Sequence, residues 1–340
     1  MKILDTPPPN WDRLVPAPCQ TAGFADAMSR MGYRPLYLLD HGIGALALVR
    51  GWFPGVRRFT ARANLFATGG DGAFVSRAVS ALAGLGIPHV KVGDTMWGLQ
   101  WGELPSDWPF PRTRLIQRHT FVLDLASPDA ALLKAMDGAE RKIRKAEREG
   151  VTVRPVETPE ELKAFCQLAR TTGDRVRERS AYTDFPDTFF EAIHASMSPS
   201  GAAQFYIGWL KDEPLAGCLF LCTPDTMLYY LGGSTRDRDL TAKQAPAAVF
   251  WHAIREARRL GITRFDLGGC TPTEDPEDTR YGVYAFKKRW GGRLETFCNL
   301  EIVLSALPVY FQERVLSPLW DQLHPWYFKL GESARGLARR

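Results

Sequence analysis

Short β-rich runs open the chain. Leu36 to Leu39 and Ala45 to Val49 flank Asp40-His41-Gly42-Ile43-Gly44, and two such runs about a glycine turn predict a β-hairpin. Ala78-Val79-Ser80-Ala81-Leu82-Ala83-Gly84-Leu85-Gly86-Ile87 then reads as a helix stopped by glycine, followed by the short strand His89 to Asp94.

The same order returns later. Phe205 to Leu210 and Leu215 to Leu221 flank Lys211-Asp212-Glu213-Pro214, a helix covers Ala253 to Ile262, and a strand covers Arg264 to Gly269. At an offset of 175, Ala78 meets Ala253, Leu85 meets Leu260, Gly86 meets Gly261 and Gly93 meets Gly268. Matched residues in a matched order of elements predict two copies of one mixed α/β unit. The segment between them predicts a strand (Thr120 to Leu125), one charged helix (Asp129 to Glu149), a strand (Val151 to Pro155) and a helix starting near Pro159.

Composition narrows the class. A chain of 340 residues with 45% hydrophobic and 24% charged positions fits roughly two ordinary globular domains. No uncharged apolar run approaches the length of a membrane span, and Met1-Lys2-Ile3-Leu4-Asp5 meets Pro7-Pro8-Pro9 without the apolar stretch of a secretory signal. A cytoplasmic protein is expected. The six cysteines form no C-x-x-C pair and read as reduced packing residues. The six histidines show no metal-ligand spacing, so no metal is expected. A net charge of +5 is too mild to predict nucleic-acid binding by itself.

Some motifs are decoys. Gly42-Ile43-Gly44-Ala45-Leu46-Ala47 matches a dinucleotide fingerprint, but Gly51 and Pro54 soon follow, and a hairpin turn replaces the helix that phosphate binding needs. Neither Ser180 nor Ser234 sits in a nucleophile elbow.

Four segments carry candidate chemistry. Arg141, Arg144, Lys145 and Arg148 share one helix face, either a phosphate-neutralising ridge or a solvated face compensated by Glu140, Glu147 and Glu149. Thr171 to Ser180 reads as a loop-like arginine cluster after a helix, including Arg175 and Arg179. Its guanidiniums suit bidentate binding of phosphate or carboxylate, or pairing with Asp174 or Asp184. Tyr229-Tyr230-Leu231-Gly232-Gly233-Ser234 is a strand whose glycines permit close approach of a ligand, or form a plain turn beside a core aromatic. Tyr281 to Gly292 sets Lys287 and Lys288 among aromatics, where an ammonium can hold a phosphate or a developing oxyanion, or simply stand exposed.

These segments resemble the FemABX peptidyltransferases and the Fem-like branch of the GNAT acyltransferase superfamily. The resemblance rests on Arg141-Lys142-Ile143-Arg144-Lys145-Ala146-Glu147-Arg148-Glu149-Gly150-Val151, Tyr229 to Ser234, Phe265-Asp266-Leu267-Gly268-Gly269 and Phe286-Lys287-Lys288-Arg289-Trp290-Gly291-Gly292. It covers about residues 120 to 295. It implies an α/β fold with mixed sheets, as two tandem GNAT-like domains at 1–118 and 119–300 related by the pseudo-repeat, followed by a helical, basic-aromatic tail at 301–340. It also implies an amide-forming transferase that moves an amino acid from aminoacyl-tRNA to an amino group of a peptidoglycan precursor, nucleotide- or lipid-linked, with no bound cofactor.

By position, Lys287 looks like the family lysine near the reacting ester, with Phe286 packed beneath it and Lys288 beside it, and Tyr230 like a tyrosine of the acceptor channel. Arg175 or Arg179 would grip the precursor's diphosphate, Gly232 and Gly233 would border the substrate, and the Arg141–Arg148 ridge would meet tRNA phosphates. Asp94 and Asp266 end equivalent regions of the two repeats. Either of them, a substrate group or water would accept the amine's proton.

The glycine-rich loop by which ordinary GNAT enzymes bind acetyl-CoA is replaced by Ser234-Thr235-Arg236-Asp237-Arg238-Asp239-Leu240-Thr241-Ala242-Lys243, which argues against an acyl-CoA donor. The alternatives left open are an N-acyltransferase using acyl-CoA or another thioester on a sugar or small amine, and a non-catalytic binder of cell-wall precursors. The aromatic segments Leu307 to Phe311 and Leu323 to Lys329, leading to Arg335, Arg339 and Arg340, would either rest on the anionic inner face of the membrane or pack on the body.

Overall fold

The computed structural model describes residues 1–51, 61–67, 71–94, 96–177, 185–311 and 314, with residues 174–177 and 311 described by backbone alone. The first repeat is the meander β2 (Arg34–Asp40), β3 (Ile43–Arg50) and β4 (Arg62–Phe66), with β1 (Lys2–Leu4) on its edge. His41 and Gly42 both take positive φ in the β2–β3 turn, the conformation a two-residue hairpin demands. Helix α1 (Ala22–Ser29) precedes the meander. Helix α2 (Gly72–Gly84), capped by the Asp71 carboxylate on the Phe74 amide at 2.7 Å, leads to β5 (His89–Val92), parallel to β4.

After β6 (Thr113–Asp124), the charged stretch forms two helices, α3 (Asp129–Ala135) and α4 (Ala139–Arg148). The single helix expected over Asp129 to Glu149 is broken because Gly138 adopts φ +75° and the Asp137 amide donates to the Arg289 carbonyl at 2.9 Å. Strand β7 (Val151–Pro155) and helix α5 (Pro159–Arg177) follow. Helix α5 continues through the stretch expected as a loop from Thr171 onward. Helix α6 (Asp187–Met197) completes this segment.

The second repeat is the meander β8 (Ala203–Leu210), β9 (Glu213–Cys222) and β10 (Thr226–Ser234), a short α7 (Arg238–Thr241), the long α8 (Ala245–Arg259) and β11 (Arg264–Cys270), parallel to β10. Helix α9 (Tyr281–Lys288), β12 (Arg293–Val303) and α10 (Ala306–Phe311) end the described elements.

Among the described residues, twelve strands form one sheet in the order β1-β2-β3-β4-β5-β12-β6-β11-β10-β9-β8-β7. The order is pseudo-symmetric about the β12–β6 pair, and each repeat's last strand is lent to the other. β6 follows β5 in sequence yet pairs with β11, while β12 follows β11 yet pairs with β5. Boundaries at 118/119 and 300/301 therefore fall inside β6 and β12, the two strands of the seam.

Three apolar layers follow from two-sided burial of the strands. Ala45, Ala47 and Val49 of β3 face α2, while Leu46 and Leu48 face a layer shared with Leu219 and Leu221 of β9. Helices α1, α5 and α6 fill that shared layer. Helices α3, α4, α8 and α9 cover the other face of the second repeat. Of the six cysteines, all unpaired, five are buried and Cys270 is partly so.

Candidate functional site

The parallel ladder of β10 and β11 covers only Thr226–Leu228 against Arg264–Asp266. Beyond it, β10 stays with β9 to Ser234 while β11 follows β6 to Cys270, so the two strands part. Lys287 lies in this wedge, 5% exposed. Its Nζ donates to the Gly269 carbonyl at 2.8 Å and stands 6.0 Å from the centre of the Tyr229 ring. Helix α9 is fixed there by its aromatics: Phe286 packs on Phe250 (5.3 Å) and Tyr284 on Phe121 (5.5 Å). Burial pushes the Lys287 ammonium down to about 8, against the opposing pull of Cys270 and Asp266.

Asp266 flanks the wedge. A bulge in β11 between Asp266 and Gly269, with Gly268 at φ +77°, lets the Asp266 carboxylate accept from the Gly268 amide at 2.7 Å and from the Thr120 hydroxyl. Burial raises its pKa, while these donors, Lys287 and Arg264 oppose the rise. Thr120 carried no signal of its own in the sequence, since its partner lies 146 residues away.

Asp94 lies across the groove. One of its carboxylate oxygens accepts from the Met96 and Trp97 amides at 2.7 and 2.8 Å, an Asx turn of the kind an aspartate supports. Burial pushes this carboxyl up to about 6, while the two amides and Arg118 pull the other way. Met96 links the two aspartates: a Cβ on Gly268 would lie 2.8 Å from Met96 Cε and 3.3 Å from Lys287 Nζ. Met96 also lines two adjoining clefts. One, of roughly 500 Å³, carries Asp94, Tyr229, Tyr230 and Gly232. The other, of roughly 390 Å³, carries Asp266, Arg264, Glu295 and Asp225. Sequence reasoning missed Met96, although an aspartate followed by turn-forming residues was a usable sign.

Tyr230 is the residue bulged out of the β9–β10 ladder. Its ring sits 6.0 to 6.3 Å from those of Trp97, Phe24, Phe185 and Phe189, on the floor of the larger cleft. The two glycines after it are occupied by the protein itself. A Cβ on Gly233 would lie 2.3 Å from the backbone of Leu168 in α5, and one on Gly232 would lie 2.6 Å from the Tyr229 hydroxyl. The close approach expected at Gly233 is that of a helix, whereas Gly232 does border the cleft.

The structure thus brings Asp94, Tyr230 and Gly232 to one cleft and Asp266 to the adjoining one that shares Met96, with Lys287 buried beside Tyr229 and Gly269. Phe286 belongs to the core, and Lys288 turns outward to Glu274 at 2.8 Å. Arg141, Arg144 and Arg148 are exposed and Lys145 half-buried on the outer side of α4, with Arg144 paired to Glu140. That ridge covers the opposite face of the sheet from the larger cleft. The side chain of Arg175, all of Arg179 and the chain beyond Arg314 lie outside the described residues.

The stretch Ser234 to Lys243 carries a local cap of its own. Asp237 accepts from the Asp239 and Leu240 amides at 2.9 and 3.0 Å, so a carboxylate already holds these two amides. Among the described residues, no three His, Cys, Asp or Glu side chains gather as a metal would need, and no helix is long and apolar enough to cross a membrane.

Residues 134–288 match the family described as an acetyltransferase (GNAT) domain. The chain is 23% identical over 297 residues to the lipid II:glycine glycyltransferase of Staphylococcus saprophyticus, covering 68% of this chain and 66% of that protein. It is 22% identical over 262 residues to the enzyme of the same name from Staphylococcus aureus, covering 57% and 60%. It thus spans just under two thirds of these relatives' length. It superposes on the crystal structure of FemX with a TM-score of 0.61 at 17% identity, over 86% of this chain and 93% of that one. L-PGS from Bacillus licheniformis gives 0.57 at 14% identity, over 91% and 96%. The fold is therefore that of these mixed α/β, GNAT-like proteins, with residues 134–288 forming the part that matches a GNAT acetyltransferase domain.

Proposed function

We propose that the protein is an aminoacyltransferase that forms an amide bond between an amino acid carried as its tRNA ester and an amino group of a peptidoglycan precursor. The observation that carries this reading is Lys287 in the β10–β11 wedge, a nearly buried ammonium next to two adjoining clefts that carry Asp94 and Asp266. The glycyltransferase names of the relatives support a lipid II-like acceptor.

The chemistry asks little of the protein beyond placement. The ester is already activated, so orienting a neutral amine against its carbonyl supplies much of the rate. As the amine nitrogen bonds to that carbon, negative charge grows on the carbonyl oxygen. An ammonium held near pKa 8 remains mostly charged at pH 7 and stabilises this oxygen. Removing one preorganised donor of this kind costs about 3–4 kcal/mol. Asp266, a substrate group or water would take the amine's proton. The ester C–O bond then breaks, and the tRNA's terminal hydroxyl leaves with a proton. The arginine ridge on the far face of the sheet fits phosphates distant from the reacting end of a large polyanion.

The test mixes the protein with UDP-MurNAc-pentapeptide or its lipid-linked form. Pooled radiolabelled aminoacyl-tRNA, with and without RNase, serves as donor in one tube and labelled acetyl-CoA in another. RNase-sensitive label on the precursor is the expected result. Label only from acetyl-CoA overturns the tRNA reading despite the amides that Asp237 holds.

A further inference from the structure

The larger cleft is wide and its wall is mostly apolar. Phe24, Met28, Met31, Phe66 and Tyr230 face it across roughly 500 Å³, room for more than a dozen waters at about 30 Å³ each. Among the described residues, tyrosine hydroxyls aside, the polar side chains on it are Asn64, Thr172 and Asp94. A group without a side chain would leave those rings and thioethers against water. Methionine adapts its shape to bulky apolar occupants, and Met28 and Met31 both stand on α1 or just past its end, at one side of the cleft.

Asp94 gives the cleft a polarity. One oxygen of its carboxylate is fixed by the Met96 and Trp97 amides, which orients the group without neutralising it. Burial raises its pKa to about 6 against the pull of the two amides and of Arg118, so it is ionised at neutral pH, and a ligand ammonium on the cleft side would add to the partial compensation that Arg118 supplies for its lost hydration. Lys287, the candidate oxyanion donor, is reached past Met96 and Gly268.

We infer that this cleft takes an α-aminoacyl residue whose side chain is apolar and at least the size of leucine, with its ammonium set against Asp94. The inference rests on the aminoacyl-transfer reading for its role but not for its test. The residue arrives either as the donor's esterified amino acid or as a free amino-acid derivative, and the two sources share the same chemistry.

The test is direct binding to the full chain. One series of probes is leucinamide, phenylalaninamide and glycinamide. The other is the hydrolysis-stable 3′-amide conjugates of the same three residues with 3′-amino-3′-deoxyadenosine. The leucyl and phenylalanyl probes should bind at least about tenfold tighter than the glycyl probe, the scale on which apolar pockets discriminate single methylenes. Preference in the nucleoside series alone identifies the esterified donor as the source, and preference in both admits the free derivative.

Asp94→Asn keeps an oxygen for the two amides. It should weaken leucinamide about tenfold or more and leave 4-methylpentanamide, which lacks the amine, unchanged. Met31→Lys sets a cation on a half-buried wall position and should erase the preference. Equal or tighter binding of the glycyl probes, a preference that survives Met31→Lys, or no binding in either series overturns the assignment. RNase-sensitive transfer of glycine with no such preference would leave the transferase reading standing and this one refuted.

Discussion

Lys287 and Gly269 are joined across the parting of two strands: the lysine Nζ donates to the glycine carbonyl at 2.8 Å, at the point where β11 has left β10 for β6. The bond holds an ammonium in a wedge that backbone ladders no longer fill. Lys287→Ala should lower turnover at least about a hundredfold, with a smaller change in KM, because the charge is needed mainly as the oxyanion develops. Wild-type kcat should also fall as pH rises through about 8, where the lysine loses its proton. Steady-state kinetics between pH 6 and 9 would show both effects. A variant turning over near the normal rate would remove Lys287 from the mechanism.

The same lysine is costly to stability, and the sign follows from its lowered pKa. Between about 8 and its ordinary value of 10.5, the unfolded chain holds a proton on this group that the folded chain has released. Stability from this group therefore rises with pH across that window, and below it the burial cost is felt in full. Lys287→Met should stabilise the fold at pH 7 by on the order of 1–2 kcal/mol, allowing for the lost hydrogen bond to Gly269. The gain should shrink by pH 10. Urea midpoints at the two pH values test this, and a gain that grows with pH would contradict it.

Much of this arrangement was legible in the chain, and the rest was hidden for physical reasons. Local chemistry announced the two hairpins: His41-Gly42 and Lys211-Asp212 carry the left-handed conformations or polar turn residues such loops need. The 175-residue repeat announced β5 and β11 as equivalent strands following equivalent helices. The exchange of β6 and β12 was not legible, because their pairing joins residues such as Thr113 and Ile302 and no local pattern reports which partner a strand chooses. The break in the charged helix rested on Gly138 at φ +75° and on the Asp137 amide beside it, which donates to the Arg289 carbonyl 152 residues away. Lys287 could be found because an ammonium among aromatics is chemically conspicuous. Thr120 could not, since it acts only through Asp266, a partner 146 residues away that the fold brings to it.

Gly233 separates a packing role from a ligand role. Its missing Cβ is space taken by the Leu168 backbone at 2.3 Å, and a helix backbone cannot yield as a flexible side chain would. Gly233→Ala should destabilise the protein by about 1–3 kcal/mol through overpacking. Gly102→Ala, where nothing lies within 4 Å, should be close to neutral. Thermal melts of the two variants check this. A Gly233→Ala protein of unchanged stability that had lost precursor binding would instead return the glycine to the substrate.

The exchanged strands make the two repeats interdependent. β12 supplies the partner of β5 through Leu300–Val303 against His89–Val92, and β6 supplies the partner of β11. A chain ending at Asp124 would keep β5 but expose the edge that β12 covers, along with Leu99, Val90 and Val92 beneath Cys298, Leu300 and Ile302. A chain starting at Leu125 would leave β11 and β12 without β6 between them. An uncovered apolar strand edge invites aggregation, so fragments 1–124 and 125–340 should each be insoluble or unfolded alone. Coexpressed, they should assemble into a soluble complex, since the break falls just past the end of β6 and every ladder is restored. The intact chain should unfold in one transition by circular dichroism and by Trp fluorescence, because neither half has a complete sheet of its own. A first fragment that folds alone, with dispersed amide NMR signals, would show that β12 is an ornament to the first repeat rather than part of its core.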